Sequence, residues 1–365
     1  MINSNIPKIS VIIPCYNVGE YLAGCLNSVL NQSLVEIEII CIDDGSQDNT
    51  LEMLQDYAAR DARIIVKTQS NQGASTARNV GLSICTGLYV YFLDSDDSIR
   101  EDALEMLYNQ AVNTNSQIVT FEFEVQYANE HMEREFAHRQ AVKQRMGKYE
   151  GVFSGGELFT LMNENNDYRV SLCLHLFESR HLKENNIIFQ DIVRYEDRLF
   201  TFQSLLLCQR ITYLPEPLHY RLLRPDSITT SPHREYNLYI GSFTYIVETL
   251  KFIVANRTKI SDQTIVAAQK EIVTRYNHSL RFYKKLSAKQ KHKIDFENPT
   301  SQLISELLYR RFADSKATKT KALLEEELEK SKRELICMKN SMAFKIGRFI
   351  TYVPRKIRTI LQRFK

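Results

Sequence analysis

The sequence predicts an α/β fold, a doubly wound and mostly parallel sheet followed by a helical C-terminal extension. Three observations lead there. Short β-branched runs alternate with amphipathic helical stretches over the first hundred residues, the rhythm of strand–helix–strand units. The run at residues 9–13 is apolar on both faces, as strands in the middle of a parallel sheet are, and further apolar runs lie at 37–42 and 88–93. Each ends abruptly, in a proline or in acids, and open α/β sheets bind their ligands at such strand ends.

Taken in order, residues 9–13 (Ile-Ser-Val-Ile-Ile) form the first strand, stopped by Pro14. Leu22, Leu26, Val29 and Leu30 follow at helical spacing, and residues 37–42 give a second strand running into Asp43-Asp44-Gly45-Ser46. A helix carrying Leu51, Leu54 and Tyr57, a strand at 64–66 and a helix at 74–84 lead to the fourth strand, which stops at Asp94, Asp96 and Asp97. Residues 119–125 alternate Phe121, Phe123 and Val125 with Glu122 and Glu124, the mark of a half-exposed strand. The polar stretch 128–148 holds His131 and His138, read as solvated because neither has a partner at metal-ligand spacing. Residues 172–177 are a further apolar segment, and Glu196-Asp197 opens an apolar helical run ending near Cys208. Residues 236–312 read as largely helical with no chemistry of their own. The expected divisions are 1–115, 116–230, 231–316 and 317–365.

Bulk properties narrow the class. With 365 residues, 44% apolar and 25% charged, the chain has material for a sizeable core. Seven cysteines are scattered at 15, 25, 41, 85, 173, 208 and 337 without CxxC spacing, which reads as reduced thiols of a cytosolic protein, not a disulfide frame or zinc site. No signal peptide is expected, and no apolar run reaches the roughly 18 residues of a spanning helix. The net charge of +3 is uneven: residues 341–365 carry seven cations and no acids, so +3 less that +7 leaves −4 for the rest. The main body therefore has no basic face for nucleic acid.

The acids at the end of the fourth strand carry the chemistry. Asp94 and Asp96, one residue apart on rigid backbone, suit a hard divalent cation that shares its oxygen ligands with a substrate's phosphates. The alternative is helix capping, which Asp and Ser favour. No GxGxxG turn follows the first strand and no Walker sequence occurs, so a bound diphosphate must be neutralised otherwise, and a metal on Asp94 and Asp96 would do it. Arg221 and Arg224 could act as fork donors to phosphate or pair with surface acids. Glu196 and Asp197 either stabilise a helix N-terminus or do proton chemistry. Farther on, Leu324, Leu328, Ser331, Leu335, Met338 and Met342 form a short 4-3-4-3-4 seam for packing or pairing, including pairing of two copies. The basic, amphipathic tail 341–365 suits an anionic membrane surface, or docking on a protein.

Five segments in this order resemble the family 2 glycosyltransferases, an inverting group of GT-A fold. They are residues 9–17 (Ile-Ser-Val-Ile-Ile-Pro-Cys-Tyr-Asn), Asp43-Asp44-Gly45-Ser46, residues 71–79 (Asn-Gln-Gly-Ala-Ser-Thr-Ala-Arg-Asn), Asp94-Ser95-Asp96-Asp97, and Tyr195-Glu196-Asp197 followed by Phe200. The resemblance covers about residues 8–230 and implies a hexosyltransferase-type enzyme. It would take a nucleotide-diphosphate sugar, a UDP-sugar first of all, and act on a surface glycan or a lipid-linked glycan. It implies that Pro14, Tyr16, Asn17, Asp43 and Asp44 line the nucleotide pocket, with Asp44 accepting from a base N–H. Arg78, Ser95, Arg221 and Arg224 would serve the donor and its phosphates, Asp96 would be the main contact of Mn2+ or Mg2+, and Asp94 would bind the donor's ribose or the metal through water. Asp197 would be the base, with Glu196 second, and Asp97 would be a capping or supporting acid. Many relatives have glycine where this chain has Tyr195, and many carry a tryptophan in the segment matching 172–177, where this chain has none. The tail resembles those of bacterial members at the inner membrane, implying a cytoplasmic protein peripheral on its inner face.

Two other readings are weighed beside it. A nucleotidyltransferase also uses strand-end acids and metal, but needs a glycine-rich basic loop where residues 14–17 stand. A sugar-nucleotide-binding subunit without catalysis would have no use for the remote second acid pair.

Overall fold

The computed structural model describes residues 6–138, 145–192, 194–225, 235–288 and 290. Its first half follows the expected alternation: β1 (Ile9–Cys15), α1 (Gly19–Leu30), β2 (Ile37–Asp43), α2 (Thr50–Arg60), β3 (Ile64–Thr68), α3 (Ala74–Ile84) and β4 (Tyr89–Phe92). β1 pairs in parallel with β2 and β4, and β2 with β3. β2 and β4 are buried at every residue and β1 at all but Pro14, so their β-branched and aromatic side chains fill the core on both faces of the sheet. α1 buries Leu22, Cys25, Leu26 and Val29, one helical stripe turned to the sheet. α3 packs closer still: a Cβ on Gly81 would lie 2.5 Å from Ile12 Cγ2.

The second half completes the same sheet in mixed directions. It comprises β5 (Ser98–Ile99), α4 (Ala103–Thr114), β6 (Ile118–Tyr127), α5 (Glu130–Phe136), β7 (Val152–Phe153), α6 (Gly155–Glu164), β8 (His175–Glu178), α7 (Ser179–Glu184), α8 (Glu196–Leu207) and β9 (Ile211–Leu223). The strand order is β3-β2-β1-β4-β8-β6-β9-β5, with β7 on β9. β8 runs antiparallel between β4 and β6, whereas β6 and β9 are parallel. β6 departs from the expected half-exposed strand: its first six residues are all buried, and only the last four alternate. The reason is Glu122, which is sealed inside by Arg145 and Tyr213.

The extension contributes α9 (Glu235–Ala255) and α10 (Asp262–Lys285). Contrary to the expectation of no span-length apolar run, α9 has 21 residues with a mean hydropathy of 1.4 in its most apolar window, enough by length and composition to cross a membrane. Its apolar residues have another destination: Tyr245 and Ile246 are fully buried in the core they share with Phe200, Phe202 and Ile272. The heptad seam and the basic tail lie outside the described residues.

Candidate active site

Loops after β1, β2 and β4 meet at one sheet edge. Asn17, at φ 49°, takes the left-handed conformation asparagine tolerates. It ties two loops together, donating from its N–H to Ser46 Oγ at 3.1 Å and accepting from Gln47 N at 2.7 Å. Tyr16 beside it is 46% exposed and Pro14 is half-buried, so an aromatic face is open at the strand end. Asp43 and Asp44 are buried. Asp43 Oδ1 accepts from Ser46 N, closing the turn. Asp44 accepts from Gln69 Nε2 and from the backbone N–H of Gln72 and Gly73, at 2.7 to 2.8 Å. Those three bonds shape the loop leading into α3 and leave part of the carboxylate's acceptor capacity.

Arg78, on α3, is the hub. Its Nη2 donates to Asp94 Oδ1 at 2.8 Å, and its Nη1 lies 3.5 Å from Glu196 Oε1. One guanidinium, 8% exposed, thereby joins the fourth strand's end to the head of α8. Among the described residues its Nε and Nη1 have no hydrogen-bond partner. Phe189 seats it: the ring lies 5.5 Å from the guanidinium and its backbone exchanges two hydrogen bonds with Asn79. Burial pushes the Asp94 carboxyl up, but the Arg78 charge and bond outweigh it and hold it below the usual range. Glu196 goes the other way, raised by burial and then by Asp197, with Arg78 opposing.

Asp96 Oδ2 accepts from Arg224 Nε at 2.8 Å, and Arg224 in turn lies over the Tyr21 ring at 4.5 Å. Burial, then Asp97 and Asp94, push the Asp96 carboxyl up. Ser95 is buried, and Arg221 stands on β9 opposite Val125. Asp197, in the first turn of α8, accepts from Arg198 N at 2.7 Å. The residue before the pair, Tyr195, has φ 69°, a left-handed conformation that glycine takes without steric cost.

The donor set at Asp94 and Asp96 fits a hard divalent ion. It offers two carboxylates from one rigid strand end, and such ions take the rest of their shell from phosphates and water. Asp96, its carboxyl pushed up by burial and by its neighbours Asp97 and Asp94, is crowded in the way a cation relieves. Among the described residues, Asp97, Cys173 and His219 form another compact group, their ligand atoms within 4.8 Å of one another. There His219 Nε2 meets Asp97 Oδ2 and its Nδ1 meets Tyr91 OH, both at 2.9 Å, so the imidazole is engaged in hydrogen bonds. With Leu222 N donating to Asp97 Oδ1, this group ties β9 to the strand-end acids. His219, Tyr91 and Phe189 went unnoticed in the sequence because their partners lie about a hundred residues away.

Comparison with known proteins bears on the family and the fold. Residues 10–161 match the model of glycosyl transferase family 2. The chain is 31% identical over 232 residues to the uncharacterized glycosyltransferase EpsJ of Bacillus subtilis (strain 168), covering 63% of this chain and 65% of that one. It is 29% identical over 233 residues to the poly(ribitol-phosphate) beta-glucosyltransferase of Bacillus spizizenii, covering 60% and 33%. The chain thus spans less than two thirds of the length of these two curated relatives. Its fold matches that of S. aureus TarS 1-349 in complex with UDP-GlcNAc with a TM-score of 0.61 at 22% identity, covering 78% of this chain and 77% of that one. The architecture is of the GT-A class. Residues 10–161 thus carry the sequence pattern of glycosyl transferase family 2.

Proposed function

We propose that the chain is an inverting glycosyltransferase that moves a hexose-type sugar from a nucleoside-diphosphate donor, first of all a UDP-sugar, to a hydroxyl of a growing cell-surface glycan or a lipid-linked one. Arg78 carries this reading. A buried guanidinium that joins Asp94 to Glu196 and still has unmet N–H groups suits diphosphate oxygens brought between two acids. The UDP-GlcNAc complex of TarS supports the donor class, and a relative named for glucosylating poly(ribitol-phosphate) supports a surface polymer as acceptor.

In this reading Asp197 takes the proton of the acceptor hydroxyl as that oxygen attacks the anomeric carbon from the face opposite the diphosphate. The new C–O bond forms as the bond to the diphosphate oxygen breaks, and its electron pair leaves with that oxygen. Glu196 is the second choice as base. A divalent ion, Mn2+ or Mg2+, held by Asp96 and Asp94 would offset charge on the departing diphosphate. Tyr16, Pro14 and Asn17 would face the base, Asp43 and Asp44 would shape its loop, and Ser95, Arg221 and Arg224 would serve the donor's ribose and phosphates. The division of labour follows the chain: residues 1–115 for the donor, 116–230 for the acceptor and base, 231–316 as helical support. Residues 317–365 would provide an anchor on the inner face of the cell membrane, or a seam for pairing two copies.

A panel of nucleotide sugars assayed with manganese and with chelator, on the wild type and on Asp197→Asn, tests the reading. Transfer from one donor class is expected to need the metal, and Asp197→Asn to lower it about 10²- to 10⁴-fold while UDP binding persists. Full turnover in chelator would remove the metal, and loss of UDP binding in Asp197→Asn would remove its role as base.

A further inference from the structure

The C-terminal helices lie outside the family-matched stretch, yet they grip both flanks of the Glu196-Asp197 pair. On one flank, α9 comes so close that a Cβ on Gly241 would meet Arg194 Cβ at 2.5 Å and Arg194 O at 2.9 Å. Only glycine permits that approach. On the other flank, Glu271 of α10 bonds Arg198 Nη1 at 2.7 Å and lies 3.3 Å from Arg275 Nε. All three side chains are largely buried, Glu271 to 8% exposure. Between the two contacts stands Tyr195 at φ 69°, a backbone state that an L side chain holds only when its surroundings impose it. That turn fixes where α8 starts, and so where its first two acids point.

We propose that Glu271, acting through Arg198, and the Gly241 contact are positioning elements of the catalytic centre: together they hold the left-handed turn at Tyr195 that aims Glu196 and Asp197. The inference rests on the reading of α8's first turn as the source of the base. A buried charge cluster adds little net stability over an apolar packing of the same shape, but its hydrogen bond is directional. Direction is what the first turn of α8 needs, because a base displaced by about 1 Å costs on the order of 100-fold in rate.

The test compares the full chain with Glu271→Gln, Gly241→Ala, Asp197→Asn and a control, Ser279→Ala. Ser279 is buried on the same helix but, among the described residues, bonded only within it, to Tyr276 O at 2.7 Å. Turnover, donor KM, UDP affinity by calorimetry and Tm are measured for each. Glu271→Gln and Gly241→Ala are each expected to lower kcat about 10- to 100-fold with UDP affinity unchanged. Tyr195→Gly, placed in the Glu271→Gln background, is expected to recover part of that kcat, since glycine holds the turn unaided. The inference is overturned if kcat falls no further than in Ser279→Ala at equal Tm loss, if the loss lies in UDP affinity, or if Tyr195→Gly recovers nothing. Full turnover in Asp197→Asn would instead overturn the assignment of the base, so the two failures are distinct.

Discussion

Arg78 meets Asp94 at 2.8 Å, and Arg145 meets Glu122 at 2.7 Å. The lengths are nearly the same, but the settings are not. Glu122 and Arg145 are 3% and 1% exposed; Tyr213 OH and the Phe121 and Arg169 carbonyls meet most of their other polar atoms, and among the described residues Arg145 Nε alone of the guanidinium nitrogens has no hydrogen-bond partner. Both partners of that pair are closed off from solvent. Asp94 is 43% exposed at its side chain, and its arginine keeps two N–H-bearing nitrogens without hydrogen-bond partners. A sealed pair frames the second half of the sheet. The open one is where the proposed reading places the donor's diphosphate.

The comparison is broken most severely at the sealed pair. Arg145→Met strands the Glu122 carboxylate in the core, and we expect a loss of about 3–5 kcal/mol in urea-induced unfolding, with turnover of the folded fraction kept. Lost turnover at full stability would move Arg145 into the site. A smaller effect comes from His175, buried between β4 and β6, whose imidazole burial and then the Arg145 charge push down to about 3. The fold thus favours the neutral ring and the unfolded chain takes up the proton more readily. Its contribution to stability is complete above pH 6.5 and lost as pH falls towards 3, by up to ~1.4 kcal/mol per pH unit. Tm measured between pH 7.5 and 5 should fall more steeply in the wild type than in His175→Gln. Parallel curves would show that the ring titrates as freely folded as unfolded.

The two halves also differ in how far they could be read from the sequence. β1, β2 and β4 sit within a residue or two of their expected bounds because each is a local apolar run with a hard stop. The strand-end acids are legible for the same reason, as Asp94 and Asp96 belong to one short segment. In the second half the decisive partners are remote. Glu122 looks like the exposed face of an alternating strand until Arg145 and Tyr213 close over it. Asp97 was expected to be a capping or supporting acid, and what it supports, His219 and the Leu222 backbone, comes from more than 120 residues away. Residues 236–312 offered no chemistry by themselves, since Gly241 and Glu271 matter only where α9 and α10 press on Arg194 and Arg198. One signal was present: a tyrosine standing where the resembling sequences have glycine marks a backbone turn of positive φ.

In the proposed reaction one cation, Arg78, serves both the donor and the base. Arg78→Gln tests it, with UDP affinity measured by calorimetry and kcat at saturating donor measured on the same preparation. We expect both to fall, each about tenfold or more, as befits loss of a charge-assisted bond worth about 1.5–3 kcal/mol, with a smaller change in Tm than Arg145→Met produces. A variant that loses UDP affinity but turns over at the wild-type kcat, or keeps its affinity and loses only stability, would contradict it.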